Sequence, residues 1–248
     1  MLPIPASELN GSGALGPYWT FYHAVVAEQL RRWLPQRPCL LLDLSGGRGR
    51  WPVQAAGAGH HVIEVVDFRR TSDHRLHDAS NRIRQVRADD LGFLPDASID
   101  AVIAEERALS LELMAESTIE DVARVLKPGG RVLACVDSLV LGMAIMAEQN
   151  YWAHLCQTGT GEVMLVPWPD GSITRCFSST QLRELLADAG LEVEWVRPRT
   201  VLSPSTVDHV LAADTRALNW LVRTELEAHP DDDDTVGIHL VVSARRPD

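Results

Sequence analysis

Short apolar runs alternate with amphipathic stretches along most of the chain, and this alternation predicts strands alternating with helices. From Tyr18, YWTFYHAVVAEQLRRWL sets Val25, Val26, Leu30 and Leu34 at helical spacing, and Pro35 and Pro38 end the segment. CLLLDL is a continuous apolar run of the kind carried by a strand buried on both faces. A Gly-rich turn leads into PVQAAGAGH, where Pro52 suits a first helical turn and the Gly57/Gly59 pair a helix end. HVIEVVD reads as a second strand, TSDHRLHDASNRIR as a polar helix or loop, and IRQVRA as a third strand. IDAVIAE (strand), LELMAESTIEDVARVL (helix), KPGG (turn) and RVLACVDS (strand) continue the pattern. SSTQLRELLADAG has the Ser/Thr start and Gly stop of a helix. LEVEWVRPR and GIHLVVSARR supply the last strands, with ALNWLVRTELEAH between them as a helix.

Strands and helices in this order imply right-handed crossovers and the α/β class: a Rossmann-like, doubly wound, mostly parallel seven-stranded sheet with helices on both faces. No internal repeat or linker divides the chain, so one domain over 1–248 is expected, with a helical cap at about 14–36. Residues 138–177 break the alternation and are too long for an ordinary connection. The segment carries Tyr151, Trp152, Trp168, several Met and a Pro169-Asp170-Gly171 turn. It reads either as a lid inserted at the carboxyl ends of the strands or as a structural extension of the core.

Composition narrows the function. With 248 residues, 46% hydrophobic and 23% charged, the chain can bury a sizeable core without staples. No apolar run approaches the roughly 20 residues of a membrane span, and the N-terminus lacks the pattern of a signal peptide, so a cytoplasmic protein that leaves membranes alone is expected. Cys39, Cys135, Cys156 and Cys176 are scattered without a CxxC pair, which argues against structural zinc and for reduced thiols. A net charge of −11 repels phosphate backbones, so nucleic acid is a poor partner. The run Asp231 to Asp234 reads as a solvated loop. The histidines form no two-His-one-carboxylate cluster, and no metal is expected. The oligomeric state stays open, a homodimer included.

The chemistry is concentrated in LLLDLSGGRGRWPV: a buried strand, Asp43, then Ser45, Gly46, Gly47 and Gly49, then a helix start. Glycines let the backbone turn sharply and let a ligand lie against it, and the N–H groups of a helix start face that ligand. Asp67 ends the second strand, where an acid can accept both hydroxyls of a ribose. A dinucleotide site wants a third glycine, and Pro52 stands in its place, which argues against NAD.

On these residues the chain resembles the class I S-adenosylmethionine (SAM)-dependent methyltransferases, from about residue 40 onward. Asp43-Leu44-Ser45-Gly46-Gly47-Arg48-Gly49 is similar to the family's first motif, and Asp67, with Phe68 after it, to its ribose-binding position. ADDLGFLPDASIDAVIAE resembles the run from an adenine-contacting acid to the fourth strand, which implies roles for Asp89, Asp90 and Leu91. VARVLKPGGRVL is close to the fifth-strand signature, and FSSTQLRELLADAGLEVEWV to the segment after the lid in small-molecule members. Ser45 departs from the usual loop glycine, Ile99 from the usual Phe, and Arg48, Arg50 and Trp51 make the loop bulkier and more basic.

The resemblance implies SAM as cofactor and methyl transfer to O, N or C of a small molecule. The apolar composition of residues 138–177 suggests an aromatic or polyketide-like acceptor. Glu105 and Glu106 follow the fourth strand at the ligand-binding edge, where Glu105 is a candidate contact and Glu106 a candidate base. His154, beside Trp152, is a second candidate base. Tyr18 on the first helix is a candidate for the SAM carboxylate. Each has a plain alternative: a surface carboxylate for the glutamates, a packed side chain for the others. Two other readings remain: a SAM fold that is non-catalytic or turns SAM to another reaction, and an NAD-dependent oxidoreductase.

Overall fold

The computed structural model describes residues 16–46, 50–66, 81–151, 163–168, 171–227 and 237–248. Its core is a seven-stranded sheet in the order β3-β2-β1-β4-β5-β9-β8. Leu40–Asp43 (β1), His61–Val66 (β2), Ile83–Arg87 (β3), Ile99–Ala104 (β4) and Leu126–Asp137 (β5) run parallel. His239–Arg245 (β9) lies antiparallel between β5 and Glu192–Arg199 (β8). The sheet is therefore mostly parallel, and its order reverses at β1, where ligands bind in open α/β sheets.

Alternation along the strands divides the core into two layers. Leu41, Val62, Ile103, Cys135 and Val241 face one side with α1 (Gly16–Trp33) and α2 (Arg50–Gly57). Leu42, Val102, Ala134 and Val242 face the other, under α4 (Ala115–Val125) and the helix Ser179–Asp188. Two helices follow β8, Pro204–Ala213 and Leu218–Glu227, and they cover the outer flank of α1. Tyr18, Phe21 and Val25 meet Val207, Leu211, Leu221 and Val222 there, while Tyr22, Val26 and Leu30 meet the sheet. This double contact explains why α1 is apolar over so much of its circumference.

Three details differ from the sequence reading. LELMAESTIEDVARVL is not one helix: a short α3 (Ala108–Leu111) is separated from α4 by Glu112 in an extended conformation. KPGG lies within β5, whose register against β4 shifts between Ile99 and Ala101. The helix Pro204–Ala213 went unread, although Ser203 caps it by accepting Thr206 N–H at 3.2 Å and Pro204 opens it.

Residues 138–177 leave and return at one point. Ser138 and Phe177 form a parallel bridge, and Phe177 N–H donates to Asp137 C=O at 2.9 Å. Between them, α5 (Leu139–Glu148) packs on a hairpin of β6 (Met164–Pro167) and β7 (Ile173–Cys176). Leu141, Ile145, Met146, Val166 and Trp168 form a separate small core. The segment thus has its own interior beside the carboxyl edge of the sheet. Among the described residues no helix is long and apolar enough to cross a membrane.

Gly142 is the tightest point of this small core. A Cβ there would stand 2.8 Å from both Cys176 Sγ and Met164 Sδ. Gly142→Ala is expected to lower stability by about 1–3 kcal/mol through overpacking, read from the denaturation midpoint at unchanged m-value.

Candidate active site

A cavity of about 310 Å³ opens at the carboxyl ends of β1, β2 and β3. Leu44, Gly46 and Val65 form its floor, Asp89, Asp90 and Leu91 one wall, and Ala108 and Leu109 of α3 the other. Gly46 has φ +82°, and a Cβ there would meet no atom within 4 Å, so its backbone lies open to a ligand. Leu91 and Leu109 are buried apolar surfaces, whereas Asp89 and Asp90 are exposed. Asp90 Oδ1 accepts Gly92 N–H at 2.9 Å, a local turn that fixes this corner.

Ser45, the departure in the Gly-rich turn, is a bridge. Its hydroxyl donates to Asp43 Oδ1 at 2.8 Å and accepts Glu105 N–H at 3.1 Å, joining the ends of β1 and β4. Asp43 is fully buried, and its Oδ2 has no partner. Burial pushes its carboxyl up to about 8, helped by Glu64 and Glu106 nearby and opposed by the Ser45 hydrogen bond.

Beyond β4 the edge carries a buried polar row beneath α1. Arg199, wholly buried at the end of β8, makes two hydrogen bonds to Glu105, at 2.7 and 2.8 Å. Arg107 pairs the same way with buried Asp137, 2.7 Å at both contacts, and its guanidinium lies 4.7 Å from the Trp168 ring centre. Asp137, His239 and Arg199 are cross-strand neighbours on β5, β9 and β8. His239 Nδ1 lies 3.1 Å from the Tyr22 hydroxyl. Burial pushes His239 and His23 down to about 4, so both are neutral near pH 7. Glu106 and Arg107 both have left-handed backbones, φ 55° and 63°, a strain of about 1–3 kcal/mol each that characterises functional edges. Trp51 Nε1 donates to Glu106 Oε1 at 3.2 Å.

Of the candidate residues, Gly46, Asp89, Asp90 and Leu91 come together around the cavity, with Asp43 and Ser45 directly behind it. Glu106 stands at the end of β4 against α2. Glu105 has both oxygens on Arg199 and is turned away from the cavity. Tyr18 is buried, its hydroxyl 2.9 Å from Thr200 Oγ1, and packs within the helical layer. Gly47, Gly49, Asp67, Phe68 and His154 lie outside the described residues. Arg107, Arg199 and His239 were missed: Arg199 ends β8, His239 opens β9 and Arg107 follows β4, and a lone polar residue at a strand end does not show its partner. Cys39, Cys135 and Cys176 are free thiols. Among the described residues no three His, Cys, Asp or Glu side chains are placed to hold a metal ion.

Residues 42–134 match the family described as Methyltransferase domain. No curated protein matches the chain. Among solved structures, Burkholderia thailandensis 1,6-didemethyltoxoflavin-N1-methyltransferase, with bound 1,6-didemethyltoxoflavin and S-adenosylhomocysteine, aligns over 100% of this chain and 93% of its own. The TM-score is 0.57 and the identity 16%. Geranyl diphosphate C-methyltransferase of Streptomyces coelicolor aligns over 99% and 90%, with a TM-score of 0.55 and 16% identity. The [4+2]-cyclase SpnF aligns over 90% and 80%, with a TM-score of 0.57 and 18% identity. At such identities the likeness is one of fold.

Arg199→Met should cost about 3–5 kcal/mol by leaving Glu105 buried and unpaired, and adding Glu105→Met should recover much of it. Chemical denaturation of both variants checks this. His239 and His23, depressed from 6.5, contribute stability that is present above pH 6.5 and lost as pH falls through about 4. His239→Gln should therefore flatten the fall in stability over that window.

Proposed function

We propose that this chain is a class I SAM-dependent methyltransferase that transfers the methyl group to a small-molecule acceptor bound beside the β4 and β5 ends, a reading supported by the match of residues 42–134 to the methyltransferase domain and by the fold. The observation that carries the reading is the cavity at the switch point of the sheet, floored by open backbone at Gly46 and walled by Asp89–Leu91 and Leu109.

The cavity's chemistry suits SAM. Leu91, Val65 and Leu109 offer apolar surfaces for an adenine ring, and Asp89 or Asp90 an acceptor for its amino group. Gly46, with Gly47 and Gly49 beside it in sequence, would carry the methionine part, and Asp67 would accept the ribose hydroxyls. The unpartnered Asp43 oxygen lies behind that loop. SAM, when bound, supplies a methyl group on positively charged sulfur that needs no metal or covalent activation. The protein's task is then to hold the acceptor in line and dry, which alone can supply much of the rate.

Glu106 is the group to orient the acceptor and take its proton. It stands at the end of β4 on a strained backbone, its carboxylate accepting the Trp51 indole N–H. His154 is the second candidate for that role. Residues 138–177 are read as the acceptor's cover. The Arg107 contacts to Asp137 and Trp168 tie this segment to the edge, and its apolar composition is the ground for an aromatic or polyketide-like ligand. The bound 1,6-didemethyltoxoflavin and the geranyl diphosphate of the two neighbours support a small acceptor, while the acceptor and the atom methylated here are part of the proposal. The fold of SpnF favours a second reading, in which the same scaffold runs a different reaction. The two differ in product: methyl transfer consumes SAM in step with a methylated compound.

Calorimetry should show SAM and S-adenosylhomocysteine binding with Kd on the order of micromolar and no binding of NAD. Gly46→Val and Asp67→Ala should each weaken binding at least about tenfold, or 1.4 kcal/mol. Failure of the folded protein to bind either sulfur ligand would overturn the reading. With an acceptor in hand, Glu106→Gln should lower kcat while leaving the S-adenosylhomocysteine Kd within about twofold.

A further inference from the structure

Two polar atoms on α1 are sealed inside the protein without a hydrogen bond. Trp19 and His23 follow one another at i, i+4 on the side of the helix that faces α2. Trp19 Nε1 and His23 Nδ1 are both shut off from water, and neither has a partner. Such orphans are costly, and a ligand is one of the few reasons for a fold to keep them. One turn further along, the seam between the helices is tied: the Gln54 amide donates to Ala27 C=O at 2.7 Å. At His23, nearer the carboxyl edge of the sheet, the seam is aromatic. The imidazole lies 6.5 Å from the Trp51 ring and 5.6 Å from the Tyr22 ring, centre to centre. Trp51 opens α2 just after the Gly-rich turn, and its indole N–H reaches Glu106 at the end of β4. Among the described residues no hydrogen bond reaches His23 Nε2, and that atom is not sealed in, so it is the one His23 offers to a ligand.

Resting on the methyltransferase reading, we propose that His23 presents Nε2 to the point of methyl transfer and accepts a hydrogen bond there from the acceptor, which therefore reacts through an O–H or N–H group. A cofactor with its base against Asp89–Leu91 and its methionine part along Gly46 sets the sulfur toward the ends of β1 and β4, where Trp51 and Glu106 meet. His23 stacks over that meeting point from α1. It orients the acceptor and receives no proton; Glu106 keeps the role of base.

The surroundings suit this part. Of Tyr18, Tyr22 and His23 on α1, the first has its hydroxyl beside Thr200 and the second beside His239, which leaves the uncommitted atom on His23. Tyr22 stands edge-on to the imidazole at 84° and holds the ring in place. Burial, with Arg50 and Arg199 nearby, pushes the imidazole down to about 4, so it is neutral near pH 7. With its one proton on Nδ1, a neutral imidazole is a hydrogen-bond acceptor at Nε2, and it sets no positive charge beside the cationic sulfur.

The test uses two ligands that differ at the transferring centre. Sinefungin carries an amine on carbon in place of the methylated sulfur, and S-adenosylhomocysteine has nothing there. The full chain is titrated with each by calorimetry. His23→Phe should weaken sinefungin at least about tenfold and leave the S-adenosylhomocysteine Kd within about twofold. His23→Gln, whose amide oxygen can accept, should restore part of the loss. An equal loss for both ligands would overturn the proposal, because His23 would then serve packing or the methionine end. Unchanged sinefungin affinity would overturn it too. If His23→Phe does not fold, carbethoxylation of the unmutated chain by diethyl pyrocarbonate decides. Peptide mapping should find His23 modified in the free protein and protected by sinefungin. An unreactive His23, or one that sinefungin leaves open, would sink the proposal and leave the cofactor assignment standing. Absence of binding of either ligand by the folded protein would overturn both readings together.

Discussion

The buried pairing of Arg199 with Glu105 holds the working edge of this sheet together. It spans from the end of β8 to the end of β4, across the two strands between them in the sheet, and both partners are sealed from water. Two hydrogen bonds between the Arg199 guanidinium and the Glu105 carboxylate offset the cost of burying both charges, although Arg199 Nε has no partner, so the pair fixes the antiparallel edge relative to the parallel half. Arg107 with Asp137 repeats the arrangement one strand over and extends it to Trp168. The strained residues after β4 are kept in place between these two pairs. The edge is therefore rigid beside the proposed acceptor site.

The two sides of the switch point divide the work. Toward β3 the surface is open and mixed, with backbone at Gly46, acids at Asp89 and Asp90, and apolar walls, which suits a nucleoside. Toward β8 it is closed, aromatic and internally paired. Ser45 connects the sides, because its hydroxyl touches Asp43 and the Glu105 backbone at once. The serine at this position of the turn thus joins the end of β1 to the strand end that carries Glu106.

Much of the fold was legible in the sequence because strands buried on both faces carry continuous apolar runs, as LLL in β1, AVIA in β4, VLACV in β5 and LVV in β9 do. The Gly-rich turn and the ADDLG corner were legible because backbone approach and turn chemistry demand particular residues at particular places. The ion pairs were not. Nothing in VRPR tells Arg199 that its partner is Glu105, since that depends on strand order and on register across antiparallel pairs. The same limit explains Tyr18: helical spacing put it on a face of α1, but only the presence of Pro204–Ala213 and Leu218–Glu227 made that face a packed one. The break at Glu112 was hidden because Leu111, Leu113 and Met114 imitate a helical stripe, although Leu113 and Met114 are exposed.

The central claim is that SAM occupies the cavity at the ends of β1 to β3. Ultraviolet cross-linking of methyl-labelled SAM to the folded protein, followed by peptide mapping, tests it most directly. Label confined to peptides containing Leu44–Gly46 or Ala88–Leu91, and displaced by excess S-adenosylhomocysteine, is the predicted result. Label elsewhere on the chain, or none that S-adenosylhomocysteine displaces, would contradict the account.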